Sequence, residues 1–193
     1  MTTTATDIDL LRQMRDGQAA AFQALYRRHQ GPLYRFALLR CGSGDTAADI
    51  VQEVFLGLLT GSFVFDPLRG QLQNFLFGVA RNLVLRHEEP RRRMASLTRA
   101  GDDEDDDELE LDGEAPGPLD KILANEQAEA VRRALAQLPA HYRDCVILYE
   151  LHDMSYLEIA DICQVDIGTV RSRLSRGRAA LAKKLRGPAA AAA

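Results

Sequence analysis

The chain has 193 residues, of which 46% are hydrophobic and 27% charged, and its formal net charge is -4. This length and apolar content suffice for one medium-sized hydrophobic core or two small ones. No apolar run approaches the length of a membrane span, and the N-terminal MTTTATDIDLL lacks the basic region and apolar core of a signal peptide. We therefore expect a cytoplasmic protein without membrane insertion.

Helical spacing of apolar residues organises the first part of the chain. The pattern predicts a helix over residues 8–15. It also predicts helical structure over residues 19–40, and because Gly31-Pro32 interrupts this stretch, it can be either two helices or one kinked helix. Ser43 or Asp45 can cap the next helix, TAADIVQEVFLGLLTG, whose apolar set comprises Ile50, Val51, Val54, Phe55, Leu58 and Leu59. A loop over residues 63–70 precedes the helix QLQNFLFGVARNLVLRH, and we expect Pro90 to stop that helix.

Acidic residues are concentrated in one segment after this helix. Residues 101–117 hold ten Asp or Glu and no Lys or Arg, so the rest of the chain carries a net positive charge. The stretch 97–118 has no apolar periodicity and closes with Ala-Pro-Gly-Pro. Such a composition cannot bury enough apolar area to offset its ordering entropy, and we interpret it as a disordered acidic linker.

The second part of the chain predicts a helix-turn-helix. A helix stopped at Pro139 and the segment AHYRDCVILYELHDM come first. Ser155 and Glu158 then have the spacing of a capping box, and Asp166 can cap the following helix, with Thr169 at its third position. Between Thr169 and residue 186 there are seven Lys or Arg and no acid, a pattern typical of a helix that enters the major groove of DNA. The alternative is a solvated basic helix of an ordinary bundle.

No strand has a clear signal, so the expected fold class is all-α, with two small helical domains at residues 1–96 and 119–187, the linker 97–118 and a disordered tail 188–193. Cys41, Cys145 and Cys163 are widely spaced and flanked by apolar residues, which predicts buried reduced thiols. No HExxH motif, CxxC pair or glycine-rich phosphate loop is present. We therefore expect neither an enzyme nor a bound metal or cofactor.

Three segments in register resemble the extracytoplasmic-function sigma factors of the sigma-70 family. They are DIVQEVFLGLL, FDPLRGQLQNFLFGVARNLVLRH and the second domain from ALAQLP to GRAAL. The resemblance covers roughly residues 19–95 and 119–185. It implies a bacterial promoter-recognition subunit that binds core RNA polymerase and promoter DNA and is silenced by an anti-sigma factor. The alternative function is a stand-alone helix-turn-helix regulator that acts without polymerase.

The resemblance also implies roles for individual residues. Asp49, Gln52 and Glu53 would meet the polymerase, although such a polar helix face is also what solvent exposure alone produces. In the region that would melt the minus-10 element, the resemblance implies Asn82 as the residue that captures a flipped base, Phe75 as an aromatic platform, and two arginines on the phosphates, Arg81 and Arg86. The expected readers of the minus-35 element are Arg171, Ser172, Ser175 and Arg176, while Arg178 would contact the DNA backbone or pack against acids.

Some positions depart from the family pattern or disfavour the predicted helices. Gln164 stands at a turn that usually has glycine and Asp166 where the family often has proline, and Gly57 and Gly177 are expected to weaken their helices. The acidic linker is predicted to contribute to polymerase binding or to release of early transcripts. We also consider a compact, self-inhibiting arrangement in which the basic recognition face turns toward that linker.

Overall fold

The computed structural model describes residues 5–98 and 126–186, and within them it consists of helices without strands. A 3-10 turn, Pro67–Arg69, lies in the loop before the fourth helix. The α-helices are α1 (Asp7–Arg15), α2 (Ala19–Cys41), α3 (Gly44–Thr60), α4 (Leu72–Thr98), α5 (Glu126–Ala136), α6 (Ala140–His152), α7 (Tyr156–Cys163) and α8 (Ile167–Leu185).

Pro32 and Pro90 both lie inside helices, which decides between the two alternatives left open at Pro32 and contradicts the stop expected at Pro90. α2 is one helix through Pro32, with Leu25, Leu33 and Phe36 fully buried on both sides of it. α4 continues through Pro90, so the predicted stop there is wrong. A proline removes one backbone hydrogen bond and clashes with the preceding turn, but packing of the apolar face can outweigh that cost. The predicted domain boundary after residue 96 falls inside α4, and most of the predicted linker and the predicted tail lie outside the described residues.

The predicted helix caps are present. Ser43 accepts a hydrogen bond from the amide of Thr46 at the start of α3. Ser155 and Glu158 form the reciprocal capping box of α7, and the Asp166 carboxylate accepts from the Thr169 amide at 2.8 Å at the start of α8. Because each cap satisfies backbone amides that the helix cannot, the starts of both helices are fixed by local sequence.

Two glycines permit close contacts, one with a neighbouring helix and one with a loop residue. A Cβ atom at Gly177 would lie 2.8 Å from Val146 Cγ2 and 3.2 Å from Tyr142 Cβ, both on α6. A Cβ at Gly57 would overlap the ring of Phe63. These two glycines have a low helix propensity, but because they lack a side chain they make contacts that a larger residue would block.

Helices α1 to α4 and α5 to α8 form two groups, and the groups contact each other. The strongest packing between them joins α4 to α7, α2 to α6 and α2 to α5. All three cysteines are buried and free, as predicted. Among the described residues, no helix has both the length and the apolar character that a membrane crossing requires.

Candidate nucleic-acid interface

The second helix of the helix-turn-helix, α8, separates apolar and polar residues as the sequence predicts. Val170 and Leu174 are buried at 0% and 1% exposure, and Gly177 lies against α6. The four residues expected to read DNA are all exposed: Arg171, Ser172, Ser175 and Arg176. The Ser172 hydroxyl donates to the Thr169 carbonyl at 2.9 Å. This surface offers two guanidinium groups and two hydroxyls, the donor types that bind base edges and phosphates.

Arg178 of α8 packs against the surface of α6. There it forms an ion pair with an acid, which is one of its two expected roles. Its Nε donates to Glu150 Oε1 at 2.6 Å, and its guanidinium lies 4.6 Å from the centre of the Tyr149 ring. The hydrogen bond with Glu150 raises the pKa of Arg178. Arg178 therefore ties α8 to α6.

The turn between α7 and α8 has the strained geometry that its sequence implies. Gln164 ends α7 with φ 56° and ψ 47°, in the left-handed region, and its side-chain amide donates to the Asp161 carbonyl at 2.5 Å. Asp166 then begins α8, and bonds from the Thr169 backbone and side chain lower the pKa of its carboxyl group. The negative charge of Asp166 therefore stabilises the N-terminus of its own helix, α8.

The residues expected at the minus-10 element lie in different environments on α4. Asn82 is exposed. Phe75 is half-buried, with its ring 5.5 Å from that of Phe65, and the preceding loop exposes Val64 and Leu68 at 71% and 95%. An exposed amide on α4 and exposed apolar residues in the loop before that helix are groups that can bind an unstacked base.

The two arginines assigned to phosphates both form ion pairs. Arg86 pairs with Glu53 of α3, which links one expected DNA-binding residue to one expected polymerase-binding residue. Arg81 Nε donates to Asp144 Oδ2 of α6 at 2.8 Å, and its side chain is only 14% exposed. Arg81 is therefore engaged by the second group of helices, which the sequence did not predict.

The exposed face of α3 combines polar and apolar residues. Asp49 and Gln52 are exposed, and the Glu53 side chain is partly shielded by its pair with Arg86. One and two turns further on, Leu56 and Leu59 are 55% and 52% exposed. The apolar periodicity of α3 had assigned Leu59 to the core, which is wrong for this residue at the end of the helix.

A buried cluster of charged residues joins the two helix groups, and we refer to it as the Asp144 cluster: Arg40, Arg81, Glu88, Arg143 and Asp144. Asp144 is 1% exposed and accepts from Arg40 Nε at 2.5 Å as well as from Arg81. Arg40 is fully buried and also binds Glu88 through both terminal nitrogens. Burial alone would lower the pKa of Arg40, but the carboxylates of Asp144 and Glu88 outweigh it and raise that pKa.

Arg143 completes the cluster through backbone carbonyls. It donates to the Arg40 carbonyl and the Leu138 carbonyl, each at 2.8 Å, and to the Ala136 carbonyl. Burial, followed by the charge of Arg40, lowers the pKa of Arg143 to about 10, so it stays charged at neutral pH. One guanidinium thus joins the ends of α2 and α5 to α6.

Comparisons with known proteins agree on both groups of helices. The family model described as Sigma-70 region 2 matches residues 25–94, and the one described as Sigma-70, region 4 matches residues 128–181. The chain is 30% identical to the ECF RNA polymerase sigma-E factor of Escherichia coli (strain K12), with 96% of this chain and 97% of that protein covered. It is 31% identical to the ECF RNA polymerase sigma factor SigM of Mycobacterium tuberculosis (strain ATCC 25618 / H37Rv), with 93% and 85% covered.

Two solved structures have a similar fold. CnrH, solved in complex with the cytosolic domain of CnrY, gives a TM-score of 0.67 at 23% identity, covering 96% of this chain and 99% of that one. The sigma factor RpoE of Bartonella quintana, solved with the anti-sigma factor NepR, gives a TM-score of 0.63 at 24% identity, covering 86% of this chain and 98% of that one.

Proposed function

The chain belongs to the extracytoplasmic-function RNA polymerase sigma factors, which direct promoter recognition, and we propose how its surfaces divide that work. Region 2, comprising α1 to α4, binds core polymerase through α3 and melts the minus-10 element with α4 and the loop before it. Region 4, comprising α5 to α8, reads the minus-35 element with α8. The observation that carries this proposal is the exposed set Arg171, Ser172, Ser175 and Arg176 on a helix whose other face is buried.

Recognition of the minus-35 element is tested at the two exposed arginines of α8. Loss of one bidentate arginine–base contact costs about 1–3 kcal/mol. We therefore expect Arg171→Ala or Arg176→Ala to reduce run-off transcription from a cognate promoter by about 5- to 150-fold. Lys183→Ala removes one exposed positive charge from the end of the same helix and serves as the control. Equal losses in all three variants would contradict specific reading by Arg171 and Arg176.

Melting of the minus-10 element is assigned to Asn82, with Phe75, Arg81 and Arg86 beside it on α4. Extracting a base costs a few kcal/mol, which hydrogen bonds to an exposed amide and contact with apolar loop residues can offset. We expect Asn82→Ala to leave core binding unchanged and to lower open-complex formation, measured by permanganate reactivity of unpaired thymines. Undiminished reactivity would overturn the assignment.

Core polymerase binding is assigned to the exposed face of α3, where Asp49 and Gln52 lie beside Glu53 and the exposed Leu56. Charged side chains around exposed apolar ones are typical of a protein-binding surface. We expect Asp49→Lys to abolish retention on immobilised core polymerase while helicity is kept. Asp16→Lys, the same charge change at an exposed site after α1, should be retained normally.

The acidic segment and an anti-sigma factor complete the proposal. The ten acids of residues 101–117 favour contact with a basic surface of the polymerase. A neutral Gly/Ser segment of equal length should change core affinity or the pattern of abortive transcripts, and an unchanged result in both would contradict this role. One structural neighbour was solved in complex with the anti-sigma factor NepR and the other with the cytosolic domain of CnrY. We therefore propose an anti-sigma partner for this chain, to be isolated by affinity capture and tested for inhibition of transcription.

We propose that the protein acts in the cytoplasm and has no enzymatic activity of its own. A stand-alone regulator is disfavoured because residues 25–94 match sigma-70 region 2. The decisive comparison is promoter-specific run-off transcription with and without core polymerase. A regulator would bind its duplex site alone, whereas a sigma factor selects promoters as part of the holoenzyme.

A further inference from the structure

We propose that Cys145 and Cys163 form a reversible disulfide on oxidation by a hydroperoxide, and that this bond weakens recognition of the minus-35 element by α8. The second half of the inference rests on the proposed role of α8. Cys145 lies within α6, and Cys163 is the last residue of α7. Both residues are buried, at 0% and 4% exposure, and their thiols are hydrogen-bonded to each other in the reduced protein.

A guanidinium group from the recognition helix reaches the same pair. The side chain of Arg173 on α8 hydrogen-bonds to Cys145, so α6, α7 and α8 meet at one sulfur atom. The hydrogen bond with Cys163 lowers the pKa of Cys145 and the charge of Arg173 lowers it further, while burial and the charge of Asp144 raise it. The same hydrogen bond, together with burial, raises the pKa of Cys163. Cys145 is therefore the first of the two to form a thiolate, which is the nucleophilic form of cysteine.

The third cysteine shows what an ordinary buried thiol looks like in this protein. Cys41 is 8% exposed, and its sulfur donates to the Ser43 carbonyl at 3.5 Å. Burial raises the pKa of this thiol. An isolated buried thiol of this kind is inert. The pair in region 4 differs from it because each sulfur already contacts the atom with which it would bond.

The reaction needs one hydroperoxide for each disulfide. The Cys145 thiolate attacks a peroxide oxygen, the O–O bond breaks, and Cys145 becomes a sulfenic acid while hydroxide leaves and takes up a proton. The Cys163 sulfur then attacks the Cys145 sulfur, the S–O bond breaks, and water leaves with the thiol proton of Cys163. Two thiols have then lost two electrons and two protons, and the peroxide has become two waters.

The end of α7 is the route by which a small oxidant reaches the pair. Cys163 is followed by Gln164, whose φ of 56° is disfavoured for a non-glycine residue. Helix ends open at a lower free energy than the centre of a core. Because the reaction waits for this local opening, we expect it to take minutes to hours.

The disulfide acts on α8 in two ways. A covalent bond holds the two sulfurs closer than a hydrogen bond does, so it draws the end of α7 toward α6. Only three residues separate Cys163 from the start of α8, and the shift is therefore passed to the N-terminal turns that hold Arg171. Oxidation also removes the ionisable sulfur that Arg173 contacts. Since a recognition helix reads bases with its N-terminal residues, both changes weaken contact with the minus-35 element.

Formation of the bond is tested on the full-length protein with hydrogen peroxide, followed by alkylation of the remaining thiols under denaturing conditions and mass spectrometry. We expect the native chain to lose two of its three alkylatable thiols, and peptide mapping to join Cys145 to Cys163. Cys41→Ser should form the same bond, and Cys163→Ser should not. Three thiols that stay alkylatable, a bond that includes Cys41, or loss of thiols without the expected bond would each overturn the proposal. Peptide mapping of the native chain gives this result even if the serine variants fold poorly.

The effect on promoter recognition is tested by run-off transcription. The oxidised chain is freed of peroxide before core polymerase is added. We expect about 5- to 150-fold less transcript than from the reduced chain, as for loss of one bidentate base contact, and recovery after treatment with dithiothreitol. Cys163→Ser exposed to the same peroxide should keep its activity.

Two outcomes of the transcription assay have different meanings. Equal transcription by the oxidised and reduced native chains would overturn the effect on α8. A chain that forms the disulfide but gives no promoter-specific transcript even when reduced would instead contradict the proposed function, since the mass measurement needs neither polymerase nor DNA.

Discussion

Gln164 has a backbone conformation that favours glycine, and this predicts how two substitutions differ. A non-glycine residue in the left-handed region costs about 1–2 kcal/mol, while glycine loses about 0.5–1 kcal/mol more on folding through its extra freedom. Gln164→Gly and Gln164→Ala both lose the side-chain bond to the Asp161 carbonyl, but only glycine relieves the strain at φ 56°. We therefore expect the glycine variant to have a free energy of unfolding up to about 1 kcal/mol higher than that of the alanine variant, which should be less stable than the native chain. Chemical denaturation measures both, and a stabilised alanine variant would contradict the argument.

His152 makes stability depend on pH. Burial, followed by the positive charge of Arg35 on α2, lowers its pKa from the usual 6.5 to about 4, against a small opposing effect of the neighbouring Asp153. Between pH 6.5 and about pH 4, the His152 ring is therefore neutral in the native protein, whereas in the unfolded chain it takes up a proton. The stabilisation is full above pH 6.5 and is lost as pH falls toward 4, by up to about 1.4 kcal/mol per pH unit.

Unfolding free energies between pH 7 and pH 5 check this linkage. The native chain should lose stability across that window, and His152→Leu should lose less. His29 adds a slope of the same sign, because burial lowers its pKa despite the opposing charge of Asp7. His87 is exposed, and His87→Leu should leave the slope unchanged. Identical slopes for the native and His152→Leu proteins would show that the ring is not buried in its neutral form.

Substitution of glycine by alanine is expected to raise the free energy of unfolding in α4 and to lower it in α8. Gly177→Ala improves helix propensity but places a methyl group 2.8 Å from Val146 Cγ2, so α8 must move away from α6. We expect a loss of about 1–3 kcal/mol in unfolding free energy. In α4, nothing lies within 4 Å of a Cβ at Gly78, and Gly78→Ala should stabilise by up to about 1 kcal/mol. If Gly177→Ala left the free energy of unfolding unchanged, the α6–α8 contact would have to adjust without an energetic cost.

The sequence predicted the starts of helices well, because a helix start is determined by residues that are close together in the chain. Ser155, Glu158 and Asp166 cap their helices because capping depends on residues three positions apart. Pro90 misled the prediction because a proline disfavours the helix locally, yet α4 continues through it. At Pro32 the sequence left two alternatives open, and only packing, with buried residues on both sides of the proline, decides for one helix. Likewise, the spacing of Leu59 indicates a buried side of α3, but the helix ends one residue later, where no neighbour covers it among the described residues.

At the scale of the molecule, the arrangement of the two regions could not be predicted. Arg40 and Asp144 are 104 residues apart, and neither lies in a pattern that distinguishes it from an exposed charge. Arg81 was assigned to DNA by resemblance alone, which describes one functional state and not the free protein. The self-inhibited arrangement considered from sequence placed the basic face of α8 against acids, whereas in the described structure Arg171 and Arg176 remain exposed and α4 and α7 form the contact.

The continuation of α4 to Thr98 sets a limit on promoter geometry. The 27 residues between Thr98 and Glu126 can span at most about 90 Å when fully stretched. Had the helix stopped at Pro90, eight residues that rise about 1.5 Å each in the helix could extend at about 3.3 Å each, which would add about 14 Å to the reach from region 2. The residue at which α4 ends therefore sets part of the distance over which the two regions can separate while they stay covalently joined.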